Sequence, residues 1–348
     1  MQELVGRLTA LDPEASETLK VVAYFDVLTA GGVGLEALLR GAAVLAGTVA
    51  GAFDGRRTHR LGPDGARLPG GDGLTLEPRW PVRATGAGRV WLERDGRPHA
   101  NDEMVVERLA LAVDLVAARR GGGTGGGTGG ALDVALDAGR DLAERRVALA
   151  RLRLDGARDL RVAALPLASE VGGAPATVTA TPHGLVRAVV LRRGATVPGP
   201  AGLGVPGRGE DLPESFRTAL LALRLVPGDG DVPGSAVVDA AGLGVVLAAV
   251  GALEPVAARQ PDVVALARLD ARGRAVLDEL ARADSVRGAA AALGMHHSTL
   301  QARHEALTAE LGYDPRSLDG RARYRLARLL LRLTEGQAEG RAAGRATR

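Results

Sequence analysis

The chain has no cysteine and no isoleucine, a single lysine (Lys20), a single asparagine (Asn101), and aromatic side chains at only 2% of its 348 positions. Without cysteine there are no disulfides and no thiolate zinc ligands, and the composition suits a reducing, cytoplasmic setting. No run of 18 uncharged apolar residues occurs, so no membrane-spanning helix is expected, and no basic segment precedes an apolar stretch at the start, so no secretion signal is expected either. Arginine, alanine, glycine, leucine and valine fill the gaps. A GC-rich genome produces that bias with no functional cause, so arginine abundance alone says nothing about nucleic acid.

Several chemistries are missing as well. Ser169 and Ser215 lack the Gly-x-Ser-x-Gly elbow of a hydrolase. The run Gly121 to Gly130 is not a phosphate loop, because no Lys-Ser or Lys-Thr follows it. Gly202-x-Gly204-x-x-Gly207 fits the dinucleotide pattern literally, but Pro206, Gly209 and Pro213 deny it an immediate helix, so no helix N-terminus faces a pyrophosphate. The six histidines are not spaced as metal ligands; His59 and His99 read as core or surface histidines, with lining of a ligand pocket in the N-terminal domain as the alternative. Neither a catalytic residue, nor a cofactor, nor a metal is therefore expected, and the chain does not read as an enzyme.

What is present is concentrated near the end. Ser285 to His304 reads as two helices pinned at a tight turn, the arrangement that lays one helix in a DNA major groove. Ser285 is placed to cap the first helix. Ala289, Ala290 and Leu293 share one face, and the two small side chains allow a second helix to cross closely. Gly294 falls where the chain leaves the helix and needs positive φ. Met295 is expected between the helices, and His297 or Ser298 is expected to cap the second one. Leu300 and Leu307 point inward. His297, Ser298, Thr299, Gln301, Arg303 and His304 are the candidate DNA contacts, since Gln and Arg read base edges through paired hydrogen bonds and Arg also clamps phosphates. Arg321, Arg323 and Arg325, further on, are candidate phosphate contacts. Residues 271–348 hold 14 Arg against 9 Asp plus Glu, whereas the whole chain is only +3, so the positive excess travels with this segment.

The run Leu293 to Arg303, followed by Leu311-Gly312-Tyr313-Asp314-Pro315, resembles the C-terminal helix-turn-helix of PucR/CdaR-type bacterial transcriptional regulators. His296, Thr299 and Arg303 match the family's His-x-Asn-Thr-x-x-Tyr-Arg run, Gly312 and Asp314 its Gly-x-Asp, and Arg321 to Arg332 its closing helix. Ser298 replaces the usual Asn and Ala302 the usual Tyr, and both changes shorten reach, so base specificity does not carry over. The likeness covers about the last fifth of the chain. Gly202 to Val205 with Leu212 to Ala219 is similar to the family's degenerate GGDEF-like segment; no metal-binding carboxylates stand at that hairpin, so no nucleotide cyclisation is expected.

Upstream, Leu35 to Gly47 reads as an amphipathic helix with Leu38, Leu39, Ala42, Leu45 and Ala46 inward. Val49 to Phe53, Arg56 to Leu61, Trp80 to Val82 and Gly88 to Leu92 read as strands, and Asp102 to Ala118 as a second helix. The order resembles a GAF-type sensory domain. Leu132 to Leu154 reads as one helical connector. Arg161 to Ala168, Thr177 to Thr181, Leu185 to Leu191 and Ala201 to Val205 read as strands. Leu212 to Leu223 reads as a helix with Pro213 in its first turn, and Ala236 to Val238 and Gly242 to Val250 close the block. The expected fold is α+β and multidomain. A GAF-like α+β domain with an N-terminal helix occupies 1–120, a Gly-rich linker 121–130, a helical connector 131–160, and a degenerate GGDEF-like α+β domain 161–256. An all-α helix-turn-helix domain occupies 270–336 and a disordered tail 337–348. The expected function is transcriptional regulation by a homodimer bound to double-stranded DNA, modulated by a small-molecule effector at the N-terminal domain. The alternative is a ligand-sensing or scaffolding protein whose C-terminal helices dock a protein partner.

Overall fold

The computed structural model describes residues 13–70, 75–121, 128–169, 172–227 and 237–345. They form a mixed α+β protein in two compact units, one within Met1–Ala241 and the other Gly242–Glu339. No helix among the described residues is long and apolar enough to cross a membrane. The centre of the Gly-rich run, residues 122–127, and the last three residues of the tail lie outside the described residues.

In the first unit, α1 (Pro13–Ala30), α2 (Leu35–Ala46) and α3 (Asp102–Gly121) pack together. α2 and α3 also pack on the first sheet, whose order is β3-β2-β1-β5-β4 and whose pairings are all antiparallel. Its strands are β1 (Val49–Phe53), β2 (Thr58–Leu61), β3 (Arg67–Leu68), β4 (Val82–Thr85) and β5 (Gly88–Glu93). α2 buries Leu38, Leu39, Ala42 and Ala46 as its periodicity requires, while Leu45 turns outward at 37% exposure. The buried Arg94 guanidinium ties the end of α2 to the start of α3. It donates to Ala46 O (2.7 Å) and to both carboxylate oxygens of Asp102 (2.9 and 2.5 Å). Asp102 also accepts from His99 N at 2.8 Å, so neither buried charge lacks a partner.

The stretch expected to be one helix is two, α4 (Thr128–Leu136) and α5 (Leu142–Arg151). The side chain of Asp137 accepts from Gly139 N (2.8 Å) and breaks the run, and Asp141 restarts it by accepting from Glu144 N at 2.8 Å. The Gly-rich run likewise enters a helix at Thr128.

The second sheet runs β10-β9-β6-β8-β7, antiparallel apart from the β10–β9 pair. Its strands are β6 (Arg161–Leu165), β7 (Ala176–Thr181), β8 (Gly184–Leu191), β9 (Ala201–Leu203) and β10 (Val237–Asp239), with α6 (Leu212–Arg224) against β6 and β9. A Cβ on Gly202 would sit 2.2 Å from Ala219 O, and one on Gly204 1.9 Å from Ser215 O. The Gly-x-Gly pattern thus lets α6 press its backbone onto β9; no dinucleotide cradle is formed. Both sheets belong to the same compact unit, and Val178 of β7 enters the core built on α1, α2 and α3. Beneath β7, the Asp133 carboxylate of α4 accepts from Gly34 N (3.0 Å) and the Thr177 hydroxyl (2.7 Å). Burial nevertheless pushes its pKa up to about 6.

The second unit is helical: the end of α7 (Ala240–Leu243), α8 (Val245–Leu253), α9 (Pro261–Arg268), α10 (Ala271–Arg282), α11 (Val286–Ala292), α12 (His297–Leu311) and α13 (Leu318–Arg345) as far as Glu339. Gly242 to Val250, expected to complete the 161–256 domain, falls instead in this unit and is largely helix. An unbroken apolar run of that length does not distinguish helix from strand by period.

Candidate nucleic-acid interface

Each turn of the helical hairpin has an identifiable cause. Asp270 caps α10 by accepting from Gly273 N at 2.6 Å, and α10 buries Val276, Leu277 and Leu280. The Ser285 hydroxyl caps α11 by accepting from Gly288 N at 3.0 Å. α11 buries Ala289 and Ala290 and packs against both α10 and α12. It stops in a Schellman turn: Met295 N donates to Ala290 O (2.8 Å) and Gly294 N to Ala291 O (3.2 Å), with Gly294 left-handed at φ 62°. Met295 is half-buried rather than fully enclosed. The cap of α12 is His296, one residue before the two expected. Its Nδ1 lies 2.8 Å from the Ser298 hydroxyl and 3.4 Å from Ser298 N. Leu300, Leu307 and Leu311 form the inward stripe of α12, which ends at Gly312.

The remaining faces of α12 follow from its pitch. Ser298, Ala302, Glu305, Ala306 and Ala309 are exposed and form the outermost stripe. Gln301 and Arg303 fall on opposite flanks, about 160° apart around the axis, so they do not converge on one base pair. Gln301 donates its amide to Glu305 at 3.1 Å. His297 and Thr299 are exposed on the first turn, beside Ser298. Arg303 is half-buried and makes no ion pair among the described residues. α12 holds one Arg and two Glu, so the positive excess of the segment lies outside the helix that would read bases.

The other candidates have structural duties. His304 sits against Asp314 (Nε2 to Oδ1, 2.8 Å), joining α12 to the loop before α13. Burial works to raise the Asp314 pKa but is outweighed by the Arg316 N–H and by His304, which hold the carboxyl below its ordinary range. Arg323 grips Asp262 of α9 with two hydrogen bonds (3.0 and 2.7 Å) and lies 4.1 Å above the Tyr313 ring. Arg321 donates to Ala283 O at 3.1 Å. Arg325 is exposed with no ion pair among the described residues. Of the nine candidates, His297, Thr299, Arg303 and Arg325 therefore keep their polar groups unengaged, Ser298 and Gln301 are accessible but already bonded to His296 and Glu305 respectively, and His304, Arg321 and Arg323 are committed to the helical framework.

Two arginines outside the candidate set, Arg287 and Arg316, stand beside the hairpin. Arg287, in the first turn of α11, is exposed and makes no ion pair among the described residues. Its signal was present: a cation in the first turn of the helix that precedes α12, close to that helix's free backbone N–H groups. Arg316 donates to Asp284 O at 2.8 Å, and together with Arg321 it fixes the two residues just before the Ser285 cap. No sequence pattern foretells that contact.

No protein-family model matches the chain, and no curated protein matches it. Among solved structures, the chain is similar to a regulator of polyketide synthase expression from Bifidobacterium adolescentis, with 16% identity over 59% of this chain and 92% of that one and a TM-score of 0.22. Nothing about the present chain follows from a likeness of that size.

Proposed function

We propose that the chain is a DNA-binding transcriptional regulator of PucR/CdaR type, with α11 and α12 as its helix-turn-helix. The observation that carries this reading is the N-terminal end of α12. His297, Ser298 and Thr299 are exposed there, ahead of a helix held by a capped partner and a glycine turn. In this reading Ser298 and Thr299 approach base edges or phosphates, and Arg303, Arg287 and Arg325 contact phosphates from the flanks. One such helix reads only a few base pairs, so the working form is a homodimer on double-stranded DNA. The setting is cytoplasmic, a small molecule acting on the first unit modulates binding, and no catalytic step is assigned.

Selection of bound duplexes from a random pool by the full chain, followed by anisotropy titration, tests the reading. An enriched sequence is expected, with binding weakened by about 1–3 kcal/mol in Arg303→Ala. Failure to enrich any duplex, or an unchanged affinity in that variant, removes the role.

One observation favours a second reading. The outermost stripe of α12 is three alanines, a serine and Glu305, which suits contact with an uncharged protein surface. That reading expects affinity for the partner to be nearly independent of salt, whereas phosphate contacts impose a steep fall as salt rises.

A further inference from the structure

We propose that the first unit carries a binding site for a small organic monoanion with an apolar body, in the cavity between α5, the loop 152–160 and the turn Gly209–Asp211. The cavity measures about 470 Å³, within the range that small-molecule sites occupy. Leu149 and Leu154, both buried, and the half-buried Ala157 give it an apolar floor. Arg158 and Arg208 stand on the rim, and neither makes an ion pair among the described residues. A third rim arginine, Arg146, is already matched by Glu210 (2.7 Å). Asp155 is the other rim carboxylate, so the rim keeps one uncompensated positive charge. An apolar floor under that surplus calls for one negative charge on an apolar molecule, and guanidinium groups suit a carboxylate or sulfonate head.

The walls are fixed before any ligand arrives. Leu160 and Gly207 exchange both backbone hydrogen bonds (2.9 and 2.8 Å), and Arg145 donates to Glu210 O at 2.8 Å. The loop between them is bracketed by Arg153 and Asp159, at φ 56° and 55°. These are the two described non-glycine residues with positive φ, a conformation that persists only where the surroundings impose it.

The test uses the full chain and two fluorescent probes of the same ring body: 8-anilinonaphthalene-1-sulfonate, which carries one negative charge, and N-phenyl-1-naphthylamine, which carries none. The sulfonate is expected to saturate one site per chain and to bind more tightly than the neutral amine. Its Kd is expected to rise roughly ten-fold in the double variant Arg158→Ala/Arg208→Ala, whose exposed positions leave the core intact. A comparable loss is expected in Ala150→Trp, which fills the cavity from the exposed side of α5 without changing charge. Circular dichroism establishes that each variant is folded. No saturable binding, equal affinity for both probes, or an unchanged Kd in either variant overturns the site. No DNA enters the measurement, so its outcome is separate from that of the regulator reading.

Discussion

α5 in the first unit and α11 in the second are built with the same devices and different residues. Each starts with an N-cap side chain accepting from the backbone N–H three residues on, Asp141 from Glu144 and Ser285 from Gly288. Each ends in a Schellman turn. In α5, Leu154 N donates to Leu149 O (2.9 Å) and Arg153 N to Ala150 O (3.0 Å), matching the pattern around Gly294. The left-handed residue is glycine in α11 and arginine in α5. Glycine makes the α11 stop a local property of the sequence. The α5 stop is imposed from outside, by burial of Leu154 in the core that also holds Leu132, Leu160 and Leu212, and by Arg192, which donates to Arg153 O at 3.2 Å. The same turn is thus self-specified beside the proposed reader and context-specified beside the proposed ligand cavity.

This contrast can be broken most strongly at the anchor after each turn. Leu154→Ala is expected to destabilise the first unit by about 2–5 kcal/mol, because the side chain is buried, whereas Met295→Ala, half-buried, is expected to cost no more than about 1 kcal/mol. Denaturant unfolding followed by hydrogen exchange at each turn separates the two. pH divides the units next. The folded Asp133 pKa, about 6, stands above the unfolded value near 3.9, so the group's contribution is complete below about pH 4 and is lost as pH rises through 6. Asp133→Asn is expected to gain up to about 2 kcal/mol relative to the parent over that interval, read from chemical denaturation as a function of pH. Asp314 in the second unit has the opposite sign. Its depressed pKa gives a contribution present above the unfolded value and lost as pH falls, and its exposure keeps the effect small.

Swapping the turn residues sharpens the comparison further. Gly294→Ala is expected to cost the second unit about 1–2 kcal/mol, and a melt unchanged by that substitution would show that the turn is not confined to the left-handed region. Removing the caps, Asp141→Ala and Ser285→Ala, is expected to cost about 1 kcal/mol in each case, since the two hydrogen bonds are equivalent. The smallest effect is Arg153→Gly, a gain of at most about 1 kcal/mol in thermal stability, because relief of the left-handed strain is partly offset by greater freedom of the unfolded chain.

The same distinction explains what was legible in the sequence. β1 coincides residue for residue with the expected strand, and α6 and the stop at Gly294 lie where their local signals placed them. Those signals are caps, glycines and periodicity, all carried within a few residues. The break between α4 and α5 was missed because the Asp137 turn contains no proline, and its Gly139 sits inside a helix-favouring run. The candidate site was legible as a hairpin with an exposed first turn. The fates of its arginines were not legible. Arg323 looks the same as Arg325 in the sequence, and only the fold brings Asp262, 61 positions away, against one and not the other. The Gly202-x-Gly204 pattern was visible too, but its meaning depends on α6 lying against it.

The contacts of Arg316 and Arg321 with the carbonyls of Asp284 and Ala283 have a practical consequence. Both acceptors are uncharged, so added electrolyte has little direct attraction to screen there. If the chain binds a duplex as proposed, raising the ionic strength weakens the hold of its exposed cations on phosphate more than it weakens these two contacts, so a salt titration reports chiefly on the complex.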